Sequence, residues 1–171
     1  MEVDDVGQIS LILSESDVVD CDFNVVTQYS DLIRRECEKE GYTAESSNMT
    51  ITLPNASKRA VENVLKWVKS RKTDQLMLYD GEVIENLDTN NIPAEDIEFL
   101  ENLDRPSLFE IILVCNYLEL RELLESSGKF IAGMIKGKDP QGIRDTFNIP
   151  NDFLPGEEDQ IRKENEWCEE K

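Results

Sequence analysis

The last 38 residues, Met134 to Lys171, constrain the fold of this chain more than any other stretch. They read MIKGKDPQGIRDTFNIPNDFLPGEEDQIRKENEWCEEK. Asp139 is placed to cap a helix with Pro140 at its first position, where the missing N–H costs nothing. Ile143 and Phe147, four apart, then share one face. Pro155 is positioned to open a last helix, with Glu157, Glu158 and Asp159 in its first turn, where the helix dipole favours negative charge. The apolar residues of that helix are sparse: Ile161, Trp167 and Cys168. A tail with Phe147, Ile149, Phe153, Ile161 and Trp167 strung between charges has too little sequence beside it to cover them. It is built to pack against something, and a second protein fits that need.

The residues before the tail alternate between two periods. Ile9, Leu11 and Leu13 repeat every second residue, which predicts an opening strand, and Ser14 to Asp17 form a polar turn. Phe23 and Val25 suit a short second strand. Val26, Tyr29, Ile33 and Cys37 then recur every three or four residues, predicting a helix that stops at Gly41. Met49, Ile51 and Leu53 make another strand, ended by Pro54. Asn55 or Ser57 caps a helix with Val61, Val64, Leu65 and Val68 on its core face. Lys58, Arg59, Lys66, Lys69, Arg71 and Lys72 cluster there, as on a solvated helix face. Thr73 to Glu98 has weak periodicity and DG and NN turn signals, so residues 73–98 read as a long, acidic, mobile loop. Asp104 or Ser107 caps the next helix, with Pro106 in its first turn. Leu108, Ile111, Ile112 and Cys115 form its inner stripe, widened by Phe109 and Leu113. A helix so apolar is buried on most sides or sits in an interface. A second helix spans roughly Glu119 to Gly137, with Leu123, Leu124, Phe130, Ile131, Met134 and Ile135 on its face. Strands and helices alternate early and helices alone finish the chain, which predicts an α+β (α/β-like) domain over residues 1–127 and a helical extension over 128–171.

Charge and composition exclude several functions. A chain of 171 residues with a net charge of -19 repels phosphates, so neither nucleic acid nor an anionic membrane is expected as a partner. Neutral or basic proteins are. The longest apolar run, Ile111 to Cys115, falls far short of the roughly 18 residues of a membrane span. The acidic start, MEVDDVGQ, has no apolar signal core, so secretion is not expected and the N-x-[ST] triplets at Asn48 and Asn55 carry no meaning. Cys21, Cys37, Cys115 and Cys168 are scattered without a C-x-x-C pair, as reduced packing residues of a cytoplasmic or nuclear protein.

The absence of histidine removes the commonest general base, the commonest transition-metal ligand and the Ser–His and Cys–His nucleophile pairs. GMIKGKD at Gly133 mimics a phosphate loop, but its glycines are too close and Asp139 stands where Ser or Thr holds magnesium. Abundant carboxylates leave a carboxylate-only enzyme or a calcium site as the outside option, without any D-x-[DN]-x-[DN]-G loop. No catalytic residue, cofactor or metal is expected.

The string SLFEIILVCNYLELRELL, ending at Leu124, and in the tail MIKGK, IR, TFNI, NDF, EE and RKENEWCEEK, resemble the S-phase kinase-associated protein family. ISLILSESD and ITLPNASKRAVENVLKWV match it more loosely, so the likeness covers nearly the whole chain and is dense from about Asp96. The resemblance implies a BTB/POZ domain followed by C-terminal helices that interlock with the F-box of a partner. It implies a non-catalytic adaptor of an SCF ubiquitin ligase, bridging a cullin to F-box proteins. By the same resemblance Leu124, Ile131, Ile135, Phe147, Ile149, Phe153 and Trp167 form the F-box surface, and Asn116 with Tyr117 the cullin-facing pair.

The chain departs from the family's pattern at particular positions. Glu95 replaces a Trp before Asp96, Gln141–Gly142 replaces a Glu pair, and one residue is inserted between Leu100 and Asp104. Val114–Cys115 replaces an Ala pair, adding bulk beside the cullin-facing pair. The alternative reading is therefore a diverged paralogue that binds F-box proteins, or self-associates as a homodimeric scaffold, without cullin. A cullin adaptor of the shorter elongin-C kind is a further alternative, against which the tail argues.

A tail with so few partners of its own is expected to be partly mobile until an F-box orders it, since folding on binding typically costs about 2–5 kcal/mol. Hydrogen exchange on the free protein should show residues 140–171 less protected than the core. Equal, strong protection there would overturn that expectation.

Overall fold

The structure is a computed structural model and describes residues 7–13, 17–46, 49–54, 56–71, 92–165 and 167. The polar turn at 14–16, Asn48, Asn55, Lys72, most of the 73–98 stretch and Cys168 lie outside the described residues.

β1 (Gln8–Leu13) buries Ile9, Leu11 and Leu13 on one face, as its alternation predicts. It is the central strand of a three-stranded sheet ordered β2-β1-β3. β2 (Val18–Asp22) pairs with it antiparallel and β3 (Met49–Leu53) parallel. Gly7 leads into β1 beneath the Ala44 carbonyl, where an added Cβ would stand 2.5 Å from that oxygen. Only glycine permits that approach, and its own N–H donates to the same oxygen at 2.9 Å.

The second strand comes earlier than the hydrophobic pattern predicts. β2 ends at Asp22, whose carboxylate accepts the Val25 N–H and so caps α1 (Phe23–Tyr29). Phe23 and Val25 are therefore helical. The long helix predicted through Cys37 is also broken, at Ser30, between α1 and α2 (Asp31–Glu40). Ser30 is fully buried. Its hydroxyl accepts from the Ile33 N–H, starting α2, and donates to the Leu118 carbonyl. One side chain thus restarts a helix and ties it to a distant one. Gly41, at φ 70°, ends α2 in the left-handed conformation expected of it.

α3 (Lys58–Ser70) is capped by Ser57 and buries Val61, Val64, Leu65 and Val68, with Trp67 as a further core residue. α4 (Ala94–Glu101) begins inside the stretch read as a loop, so residues 94–98 are helical. The reason is Asp96. Its side chain is 1% exposed and accepts from Trp67 Nε1 at 2.8 Å, from Arg71 at 2.6 Å and from Ser126 Oγ at 2.6 Å. Those donors sit on α3, just beyond it, and on α6 (Arg121–Ile135). Arg71 also lies 4.6 Å from the Trp67 ring centre, a cation–π contact, and Tyr29 meets the same ring edge-on at 5.7 Å.

α5 (Arg105–Leu118) starts as predicted, with Asp104 accepting the Ser107 N–H and Pro106 in the first turn. Glu119 ends it at φ 54°. Arg35 grips the Glu119 carboxylate with two hydrogen bonds of 2.8 Å, and Arg121 reaches Asp31 at 2.8 Å. α7 (Pro140–Phe147) is capped by Asp139, as its sequence predicts. α8 (Glu157–Glu164) starts after Gly156 rather than at Pro155. The described chain is thus α+β, and divides into two compact units, Met1–Gly133 and Met134–Lys171.

Asp96 is the buried acceptor on which α3, α4 and α6 converge. Asp96→Ala leaves an indole N–H and a hydroxyl without their acceptor, and the Arg71 guanidinium with only the more distant Glu122 carboxylate. It should destabilise the first unit by about 3 kcal/mol or more, read from the denaturant midpoint. A loss below about 1 kcal/mol, the scale of an exposed pair, would show the network to be dispensable.

Candidate functional site

α5 has two faces. Leu108, Ile111, Val114, Cys115 and Leu118 are buried, while Phe109, Leu113 and Tyr117, spaced by four, lie on the outside. Leu113 is 63% exposed. Sequence periodicity predicted that Phe109 and Leu113 would widen the buried stripe. The structure turns them outward, because α3 and α2 cover only one side of α5. Ile112, read as inner stripe, is half-buried. The signal for the outer stripe was present in the i, i+4, i+8 spacing and was hidden by the apolar residues around it.

Asn116 and Tyr117 lie at the C-terminal end of this outer stripe, both exposed. The Tyr117 hydroxyl donates to the Thr52 carbonyl of β3 at 3.1 Å. That bond fixes the ring across the sheet edge. The hydroxyl is engaged within the chain, so the ring offers a visitor its face more than its donor. Val114 and Cys115 point inward, at 3% and 0% exposure. The bulk expected beside Asn116 and Tyr117 is taken up by the core instead. Beside this end the Arg35 guanidinium holds the Glu119 carboxyl below its usual range, and Arg121 adds to the effect.

Leu124, Ile131 and Ile135 fall on one face of α6, since steps of seven and four residues return close to the same angle. Leu124 and Ile131 are half-buried and Ile135 is exposed. Leu123, one position from Leu124, is fully buried, so α6 presents its other side to the core. Burial raises the Glu122 carboxyl above its usual range, against the pull of Arg71 at 3.7 Å, and the Asp96 charge adds to the rise.

In the second unit Ile143 and Phe147 are half-buried, Asn148 ends α7 at φ 54°, and Ile149 follows it exposed. Arg144 links the pieces of this unit. Its guanidinium lies 5.2 Å from the Phe153 ring centre and 3.5 Å from Glu158 at the start of α8. Phe153, Leu154 and Ile161 are exposed, and Trp167 is 82% exposed. From Gly128 onward no described residue is buried. In the first unit Leu124 and Ile131 are thus half-buried, and in the second Phe147 is half-buried while Ile135, Ile149, Phe153 and Trp167 are exposed. Leu154, at 72% exposure, belongs with them and was not singled out in sequence, since one Leu between Phe153 and Pro155 carries no period.

Among the described residues no group of His, Cys, Asp or Glu could hold a metal ion, and no helix is long and apolar enough to cross a membrane. The arrangement offers surfaces for proteins. Comparison with known proteins points the same way. Residues 121–168 match the family described as Skp1 family, dimerisation domain. The chain is 41% identical over 162 residues to the E3 ubiquitin ligase complex SCF subunit sconC of Arthroderma otae, covering 94% of this chain and 95% of that protein. It is 41% identical over 171 residues to Suppressor of kinetochore protein 1 of Schizosaccharomyces pombe, covering 96% and 99%. The sconC subunit of Aspergillus terreus is 41% identical over 162 residues, covering 94% and 97%.

Cys21, Cys37 and Cys115 are free, buried thiols. Burial pushes Cys21 and Cys115 up to about 12, with the Asp20 charge adding to the rise at Cys21, and burial also raises Cys37. Only thiolate reacts. A thiol reagent at about pH 8, with sites mapped by mass spectrometry, should leave all three unlabelled until denaturant is added. Labelling of native Cys115 would contradict its place in the core.

Proposed function

The chain belongs to the Skp1 family, and on that premise we propose that its first unit is a BTB/POZ domain facing a cullin and its second unit the grip for F-box receptors. It is a non-catalytic adaptor subunit of an SCF ubiquitin ligase. Its work is geometric. An adaptor that holds a substrate receptor and a cullin at a set separation raises the effective concentration of substrate at the ligase.

The absence of any buried residue after Ser127 among the described residues carries the F-box assignment. A stretch containing Ile135, Ile149, Phe153, Leu154, Ile161 and Trp167 exposes more large apolar side chains than a monomer keeps without a partner. Leu124, Ile131, Ile135, Phe147, Ile149, Phe153 and Trp167 are the residues we assign to that contact. Trp167 and the two Phe residues are the anchors, because buried aromatics dominate binding energy. Without an F-box the same series can join two copies of this chain.

The outer stripe of α5 supports the cullin assignment. Phe109 and Leu113 lead to Asn116 and Tyr117 on one exposed helix face, and the ring of Tyr117 is already oriented by Thr52. An oriented aromatic contributes contact area with less entropy left to lose. The inward placement of Val114 and Cys115 removes the steric ground for a chain without cullin.

Size-exclusion chromatography with light scattering should show the chain, an F-box domain and a cullin N-terminal domain migrating as one three-part species. Asn116→Lys with Tyr117→Lys should release the cullin and leave the F-box bound. Trp167→Ala with Phe153→Ala should weaken the F-box by at least about tenfold, or 1.4 kcal/mol, and leave the cullin bound. Failure of both partners to bind the unchanged chain would overturn the proposal.

A further inference from the structure

β3 is an edge strand. It pairs with β1 on one side, and among the described residues no strand pairs with its other edge. Beside it lies an open cleft of about 620 Å³, bounded by α2, by β3 and by Tyr117. Thr50 and Thr52 line it from the strand, Glu36 and Glu40 from α2, and Tyr42 from the turn after Gly41. Tyr117 stands at the Thr52 end, held by its bond to the Thr52 carbonyl. The side chains of this wall are under-used. Glu36 has only an exposed partner, Lys39 at 3.4 Å, and for the Glu40 carboxylate, the Tyr42 hydroxyl and the Thr50 hydroxyl the described residues provide no partner.

We propose that this cleft receives an extended, basic segment of the cullin, laid alongside β3. An unpaired strand edge offers main-chain donors and acceptors to a chain in extended conformation, with pockets beside it choosing the side chains. Thr50 and Thr52 supply that edge, with the Thr52 carbonyl already accepting from Tyr117. Glu36 and Glu40 set the chemistry, favouring Lys or Arg from the visitor and repelling an acidic one. The Tyr42 and Tyr117 rings flank the track and offer faces to apolar stems or a guanidinium. The source is the cullin because Tyr117 belongs at once to the cleft and to the outer stripe of α5, so a chain bound on that stripe reaches the cleft without a gap. The inference rests on the reading of Asn116 and Tyr117 as the cullin-facing pair, and it adds a second, electrostatic contact to an apolar one.

The test is calorimetric titration of the cullin N-terminal domain into the full chain already bound to an F-box domain, at low and at raised salt. Glu40→Lys, a charge reversal at a helix C-terminus where a cation is favoured, should weaken cullin binding about tenfold at low salt, and the difference should shrink as salt rises. Glu38→Lys makes the same change in net charge on α2 but outside the cleft, and should cost markedly less. Thr50→Arg should weaken binding as Glu40→Lys does. An unchanged denaturant midpoint of the first unit shows that each variant is folded, and Glu36→Gln with Glu40→Gln replaces any variant that is not. If Asn116→Lys with Tyr117→Lys abolishes cullin binding while the cleft variants match Glu38→Lys, the cleft inference is wrong and the cullin surface on α5 stands. If the unchanged chain does not bind cullin at all, both fall.

Discussion

A single buried carboxylate holds the helical layer of this protein together. Asp96 takes a proton donor from the ring of Trp67, another from Arg71 and a third from Ser126. Each is a hydrogen bond to a charged group, stronger than a neutral one, and together they engage both carboxylate oxygens away from water. A buried charge is tolerable only when it is paired in this way. The consequence reaches both faces of the fold. Trp67 sits at the end of the core face of α3, and Ser126 fixes α6 at the point where its far side begins to be exposed. The helix that presents Leu124, Ile131 and Ile135 is thus positioned by a polar contact rather than by its apolar face alone.

The opposite corner is set by a different device. Ser30 breaks what would be one helix into α1 and α2 and bonds to the end of α5. Arg35 and Arg121 then clamp Glu119 and Asp31 across the same junction. These are exposed pairs, of small individual worth. Their shared location matters more than their strength, because Asn116 and Tyr117 lie just before Glu119. The end of α5 that carries Asn116 and Tyr117 is therefore tied to α2 by polar contacts of its own.

Much of this was legible in the chain. The alternating residues of β1 and β3, the caps at Ser57, Asp104 and Asp139, and the left-handed stop at Gly41 depend on neighbours within a few positions, and all occur as their sequences predict. Two of the errors share a cause. Phe23 and Val25 looked like strand, Ser30 like helix interior, and residues 94–98 like loop, because the deciding partners of two of them lie far away in sequence. Ser30 answers to Leu118, and Asp96 to Trp67 and Ser126. Asp22 is the local exception: it caps α1 by a rule readable in the chain, and the apolar pair after it masked the signal. Phe109 and Leu113 were assigned to the core for the same reason that hydrophobicity alone misleads: it says that a side chain seeks cover, not whose.

By itself the sequence determined most of the element types, the net charge of -19, the absence of histidine chemistry, and a tail with little sequence beside it to cover its apolar residues. These are local or additive properties, and composition and period report them directly. Only the tertiary structure decided which face of α5 is left outside, that Val114 and Cys115 fill the core, and that the Tyr117 hydroxyl is engaged by β3. It alone brought Asp96 beneath Trp67, Arg71 and Ser126. Such outcomes depend on which distant segment arrives as neighbour, and no spacing along the chain records that.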